Sequence, residues 1–297
     1  MKFGYYPGCS LSETAKEFDL SIREVVKVLG ISFEEINDWS CCGASSAHGT
    51  NHLLSVALPA RNLVLADKQG FDNVVAPCAA CFNRLAVSGH ELNNDSVLKA
   101  KTEDLIEEKI NKIPRVSNLV QFFNEIGLEK IKEKIAVSLK GLNAACYYGC
   151  LLLRPSDILN FDDAEDPSSM EEIITALGVS PVKWNFKTEC CGASHSIPHT
   201  GIVEKLGKNI LDDAAQHCAD IIITACPMCH SNLDMRQLNI IKHNVGQKSI
   251  PVIYLSQLVG IALGIDYNKL GLNLHYINPL PVIKSKISAL QTAEAAV

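Results

Sequence analysis

Apolar and polar positions along the first third of the chain switch between two periods. Phe3 to Tyr6 is a short aromatic run of β character. From Thr14 to Leu29 the apolar residues Phe18, Ile22, Val25, Val26 and Leu29 recur at helical spacing and stop at Gly30, a residue suited to ending a helix. Ile31 to Ile36 reads as a second strand, Leu53 to Gln69 as a second helix, and Asn73 to Ala76 as a buried strand. This order predicts an α/β fold with Rossmann-like parallel sheets. Sites in such folds form at the carboxyl ends of strands.

The same signals return in the second half. Val28-Leu29-Gly30-Ile31-Ser32 matches Ala176-Leu177-Gly178-Val179-Ser180, and Asp72-Asn73-Val74-Val75-Ala76 matches Asp220-Ile221-Ile222-Ile223-Thr224. Tyr6-Pro7-Gly8-Cys9 is echoed by Tyr147-Tyr148-Gly149-Cys150, and Leu119-Val120-Gln121 weakly by Leu255-Ser256-Gln257. Ser40-Cys41-Cys42-Gly43-Ala44-Ser45 returns as Glu189-Cys190-Cys191-Gly192-Ala193-Ser194, 149 positions later. With Cys78 and Cys81 in one copy and Cys226 and Cys229 in the other, the pattern C-x31-CC-x35-C-x2-C recurs as C-x39-CC-x34-C-x2-C. That is an internal duplication. It divides the chain into halves at 1–135 and 136–297, with a charged helical linker at about 96–113 that ends before Pro114. Each cysteine group follows a predicted strand, which gathers the groups at one sheet edge. The acidic stretch Asp162 to Pro167 reads as a solvated loop, and the tail after Pro281 is expected to fray.

Charge and composition narrow the function. A net charge of −6 and a pI near 5.9 give no reason to expect nucleic acid as a partner. The longest apolar run, Val252 to Ile265, is broken by Ser256 and Gln257 and is too short to span a bilayer. Pro7 and Gly8 interrupt the N-terminus before any signal-peptide core, so a soluble, cytoplasmic protein is expected. In that compartment twelve cysteines point to metal or redox chemistry rather than a disulfide framework. Zinc needs four ligands and usually two CxxC knuckles, whereas each copy offers five cysteines and one knuckle. Cys226-Pro227-Met228-Cys229-His230 fits a haem-attachment pattern, but the first copy has Phe82 where His230 stands. Gly201 to Asn209 is not a phosphate loop, and no GxGxxG occurs. Adjacent thiolates suit an open iron–sulfur cluster in which one sulfur bridges irons; vicinal dithiol catalysis is the weaker alternative.

The doubled ten-cysteine pattern resembles the B subunit of heterodisulfide reductase over nearly the whole chain, and is closer to bacterial heterodisulfide-reductase-like complexes than to the methanogen protein. The resemblance implies one noncubane [4Fe-4S] cluster per CCG motif. Cys9, Cys41, Cys42, Cys78 and Cys81 would hold one, and Cys150, Cys190, Cys191, Cys226 and Cys229 the other. It implies an oxidoreductase that reduces or forms a disulfide or related sulfur bond, small or protein-bound, within a complex. A ferredoxin-like C subunit would feed the clusters, supplied in turn by a flavin-containing A subunit. The alternative is a relay subunit of another oxidoreductase complex that does not touch substrate. His48, His52, His195 and His199 follow the two pairs and are candidate proton donors; Cys146 and Cys218 fall outside the repeat.

Overall fold

The computed structural model describes residues 2–44, 46–243 and 248–294; Ser45 of the first CCG motif and the last three residues of the tail lie outside the described residues. The first half builds a sheet from β1 (Lys2–Tyr5), β2 (Ser32–Glu35), β3 (Asn73–Val75) and β4 (Arg115–Ser117) in the order β2-β1-β3-β4. The second uses β5 (Asn143–Tyr147), β6 (Ser180–Pro181), β7 (Ile221–Thr224) and β8 (Val252–Tyr254) in the matching order β6-β5-β7-β8. Every pairing is parallel, as the alternation of periods requires. Helices cross between the strands: α1 (Lys16–Val28), α2 (His52–Lys68), α3 (Ala79–Asn94), α4 (Ser96–Ile106) and α5 (Leu119–Ile126) in the first half. The second half has α6 (Ser169–Ala176), α7 (Thr200–Gln216), α8 (Pro227–Asp234), α9 (Leu255–Ala262) and the terminal α10 (Leu280–Glu294). None of the described helices is long and apolar enough to cross a membrane.

The halves exchange helices. The helix after each fourth strand packs against the first long helix of the other half, α9 on α1 and α5 on α6. Phe18 and Tyr254 stack across this contact with ring centroids 4.0 Å apart, and the Ser21 and Ser256 hydroxyls lie 2.7 Å apart beside them. One hydrophobic core therefore runs through both sheets. The faint echo at Leu119 and Leu255 has its reason here. Gln121 and Gln257 each accept the backbone N–H of the residue that starts their helix, Asn118 at 3.0 Å and Tyr254 at 2.9 Å.

Three expectations need correction. The linker helix stops at Ile106 instead of running to residue 113, because Glu107 turns left-handed and the Glu103 carboxylate takes the Ile110 N–H at 3.1 Å. Ile110 then drops into a small core beside Val56 and Leu92. From Leu280 to Glu294 the chain is helical rather than frayed; Ile283 is buried and Lys286 pairs with Asp220 at 2.9 Å. The acidic stretch is tied down as well, since Asp162 accepts the Ser168 and Ser169 N–H groups and Lys187 bonds Asp166 at 2.8 Å.

Candidate metal centre

Tyr6 and Tyr147, at matching places in the repeat, each sit at a strand end and reach for the loop that carries the cysteine pair. The Tyr6 hydroxyl donates to the Ser40 carbonyl and the Tyr147 hydroxyl to the Glu189 carbonyl, both at 2.6 Å. These are the residues immediately before Cys41 and Cys190, so the two copies fix their pairs in the same way. Asn62 clamps Ser40 further, accepting its N–H at 2.8 Å and donating to its carbonyl at 3.0 Å. Next to them, Gly8 and Gly149 have φ of +67° and +65°, and a Cβ on Gly8 would lie 2.7 Å from the Cys81 sulfur. The repeated Gly-Cys step thus keeps space open for sulfur.

The fold brings all ten repeat cysteines together as two sets. In the first, Cys41 Sγ lies 3.8 Å from Cys9 Sγ and Cys42 Sγ 3.5 Å from Cys81 Sγ, with Cys78 in hydrogen-bonding reach of Cys81. In the second, Cys191 Sγ lies 3.6 Å from Cys229 Sγ, Cys150 reaches Cys190, and Cys226 reaches Cys229. The sets also meet, because the Cys78 thiol lies in hydrogen-bonding reach of Cys226 in the other half. Cys42, Cys78, Cys81, Cys191, Cys226 and Cys229 are buried, whereas Cys9, Cys41 and Cys190 are exposed, so each set has a dry interior and an open edge.

Crowded thiols cannot all ionise, and the sulfurs share protons accordingly. Cys42 is held down at about 4, chiefly by its hydrogen bond from Cys41 and then by Cys81; Cys41 is pushed up by the same bond. Cys190 is held at about 6, first by Cys150 and with a smaller contribution from His195. The Gly43 and Gly192 N–H groups point at the Cys41 and Cys190 sulfurs at 3.4 and 3.3 Å. Among the described residues the Ser40 and Thr224 hydroxyls, one beside each set, are buried without a hydrogen-bond partner. Ten thiols, backbone donors facing sulfur and orphaned hydroxyls together fit sulfur-rich metal clusters.

Of the four histidines, His195 is the one seen to contribute to a repeat cysteine, helping to hold Cys190 down. His199 lies 5.6 Å from the His195 ring, His48 receives Arg84 at 2.9 Å, and His52 pairs with Glu91 at 3.3 Å. Sequence reasoning missed Tyr6, Tyr147, Asn62 and Asn232, whose amide donates to the Cys191 carbonyl at 3.1 Å. The paired tyrosines were visible in the repeat; the two asparagines carried no signal. Cys146 is buried in β5 away from both sets, and Cys218 is exposed.

His230, Asp234 and His275 form a second cluster of ligand-type atoms, within 4.8 Å of one another. Its hydrogen bonds argue against a metal. The Gln257 carbonyl is occupied by the Tyr254 N–H, so its amide faces His275 Nε2 at 2.8 Å and leaves the His275 proton on Nδ1. That proton points between the Val252 carbonyl and His230 Nε2, both 2.9 Å away. Burial keeps both rings neutral, with His275 pushed down to about 4. Asp234 accepts the Tyr276 and Ile277 N–H groups at 2.7 and 3.0 Å.

Burial raises Asp234 from its ordinary 3.8 to about 6. A carboxyl whose folded pKa is raised costs nothing while protonated in both states, below about 4, and its cost grows until it is ionised in both, above about 6. Wild-type stability relative to Asp234→Asn should therefore fall as pH rises from 4 to 7, by up to about 3 kcal/mol. Paired unfolding midpoints across that range check this; a flat or rising difference would contradict it.

The CCG cysteine-rich domain family matches residues 3–86 and 144–234, the two segments that carry the cysteine sets. The chain belongs to the CCG family. Among relatives of this CCG protein, the 8-methylmenaquinol:fumarate reductase membrane anchor subunit of Wolinella succinogenes is 34% identical over 93% of this chain and 97% of its own length. The B subunit of the ferredoxin/F420H2-dependent CoB-CoM heterodisulfide reductase of Methanosarcina acetivorans is 30% identical over 93% of this chain and 94% of its own. The CCG protein is thus a member of the heterodisulfide-reductase-like group of iron–sulfur subunits. A hypothetical protein from Helicobacter pylori shares the fold, with a TM-score of 0.73 at 12% identity over 93% of this chain, which spans about half (51%) of that structure.

Proposed function

We propose that this CCG protein is the two-cluster subunit of a heterodisulfide-reductase-like oxidoreductase complex, each five-cysteine set holding one noncubane [4Fe-4S] cluster. The observation that carries the proposal is the gathering of five cysteines in each copy, with the Cys41–Cys9, Cys42–Cys81 and Cys191–Cys229 sulfurs 3.8, 3.5 and 3.6 Å apart. When bound, such clusters supply one-electron redox steps. The protein's own residues do the rest. Tyr6 and Tyr147 fix the cysteine pairs, the Gly43 and Gly192 N–H groups favour thiolate at Cys41 and Cys190, and the buried cysteines keep water from the inner sulfurs.

The open edges at Cys9, Cys41 and Cys190 suit the approach of a disulfide or related sulfur bond, reduced with electrons from ferredoxin-like C and flavin-containing A subunits. His195, beside Cys190, is then the histidine best placed to give a proton to a departing thiolate. A second reading is favoured by the Wolinella relative, whose name couples a methylmenaquinol to fumarate reduction. There the clusters relay electrons from a hydroquinone and leave sulfur bonds alone. Protein purified without oxygen, assayed for iron and sulfide and reduced with dithionite, distinguishes the two. Reoxidation by small disulfides supports sulfur chemistry, reduction by hydroquinones alone supports the relay, and absence of iron overturns both.

A further inference from the structure

A cleft of about 480 Å³ opens where the turn after Cys9 meets α8, the helix that begins inside the Cys226–Cys229 knuckle. Ser10, next to Cys9, and Met228, between Cys226 and Cys229, both line it, so it adjoins both cysteine sets. Its other walls include Glu17, His230, Asp234 and Tyr254. No lysine or arginine lines it.

The duplication predicts a twin of this cleft in the related place, where the segment after Cys150 meets α3. That place is closed. Asn83, two residues past Cys81, donates its amide to the Leu151 and Arg154 carbonyls at 3.0 and 2.6 Å and stitches α3 to the segment. The corresponding residue of the open side is Ser231, and among the described residues no Ser231 side-chain bond of that kind closes the gap. The polarity differs in the same sense. Phe82 and Ala86, at the repeat positions of His230 and Asp234, are apolar and pack against the core. One copy has filled the position with apolar side chains. The other has kept a space and lined it with hydrogen-bonding groups.

We propose that this cleft binds a hydroquinone, a neutral ring bearing two hydroxyls. The proposal rests on the relay reading and gives that reading a site. Glu17 and Asp234 retain acceptor capacity for ring hydroxyls, because a carboxylate accepts about four hydrogen bonds and, among the described residues, the Glu17 carboxylate makes only a 3.3 Å contact with the Tyr254 hydroxyl beyond its own backbone. Met228, Met235 and Tyr276 offer soft, flat surface to the ring. Two carboxylates without a cation disfavour the sulfonate and phosphate groups of anionic thiols, so the cleft discriminates by charge. The stack of Phe18, Tyr254 and His230, with centroids 4.0 and 4.3 Å apart, makes its inner wall rigid, and the His275 chain holds the His230 ring in one orientation.

The test uses cluster-loaded protein under anaerobic conditions, with menadiol as probe and 2-mercaptoethanesulfonate as the anionic competitor. Calorimetry should show saturable binding of one menadiol per chain, unaffected by the sulfonate. Glu17→Gln, which removes an acceptor, and Thr14→Trp, which plugs the exposed mouth, should each weaken binding about tenfold or more, equivalent to roughly 1.4 kcal/mol, with iron content unchanged. Absence of saturable binding, competition by the sulfonate, or full-strength binding in both variants would overturn the site. Bleaching of the cluster absorbance, recorded in parallel, separates the two ideas. Bleaching that is equal in wild type and both variants leaves the relay standing and removes this cleft, whereas binding at the cleft without bleaching keeps the site and removes the relay.

Discussion

Cys191→Ser is expected to halve the iron and labile sulfide of anaerobically purified protein, from about eight of each per chain to about four. Cys191 is 2% exposed, its sulfur lies 3.6 Å from that of Cys229, and Asn232 holds both its carbonyl and its sulfur. Serine keeps the shape of the site but replaces a soft thiolate with a hydroxyl that rarely ionises, so the second set loses a ligand without losing its fold. The first set keeps all five cysteines. Its content should hold, apart from what it loses through the Cys78–Cys226 contact. Cys146→Ser is the matched control, since Cys146 is equally buried in β5 but belongs to neither set. Full iron in Cys191→Ser, or an equal loss in Cys146→Ser, would refute the assignment of ligands.

Gly8→Ala should be the more damaging backbone change, emptying the first set while the equivalent Gly149→Ala only weakens the second. Both positions have positive φ, +67° and +65°, where a side chain costs about 1–2 kcal/mol. They differ in what the new methyl meets. At Gly8 it lies 2.7 Å from the Cys81 sulfur, a distance that forces movement, and Cys81 is packed at 4% exposure with no free direction to move. At Gly149 the distance to the Cys229 sulfur is 3.1 Å, which a small shift relieves. Gly30→Ala isolates the backbone cost, for its φ is +69° but the added methyl meets nothing within 4 Å. Iron per chain should fall in the order Gly30→Ala, Gly149→Ala, Gly8→Ala. Equal iron in all three would mean that the glycine serves the turn and not the sulfur.

Much of this site was legible in the sequence. Strand periodicity and cysteine spacing together predicted that Cys9, Cys41 and Cys78 would gather at one sheet edge, and the repeated Tyr-x-Gly-Cys marked the tyrosine and glycine whose roles the structure explains. Periodicity was less reliable at element ends. Ile110 continues the apolar spacing of α4, yet a side-chain acceptor on Glu103 and a left-handed Glu107 end the helix, and neither leaves a periodic trace. The four histidines followed the cysteine pairs closely in sequence, yet closeness along the chain did not give them one role: His195 helps to hold Cys190 down, whereas His48 meets Arg84 and His52 pairs with Glu91.

The sequence by itself determined the duplication, the parallel α/β architecture and the ten cysteines, since each is a matter of period and spacing within one copy and its echo. Tertiary structure alone decided how the copies face each other. The exchange of α5 and α9, the approach of Cys78 to Cys226, and the cleft between Glu17 and α8 join residues up to 237 positions apart, as Glu17 and Tyr254 are. Contacts of that range are selected by the packing of whole helices against one core, so no local pattern in either copy encodes them.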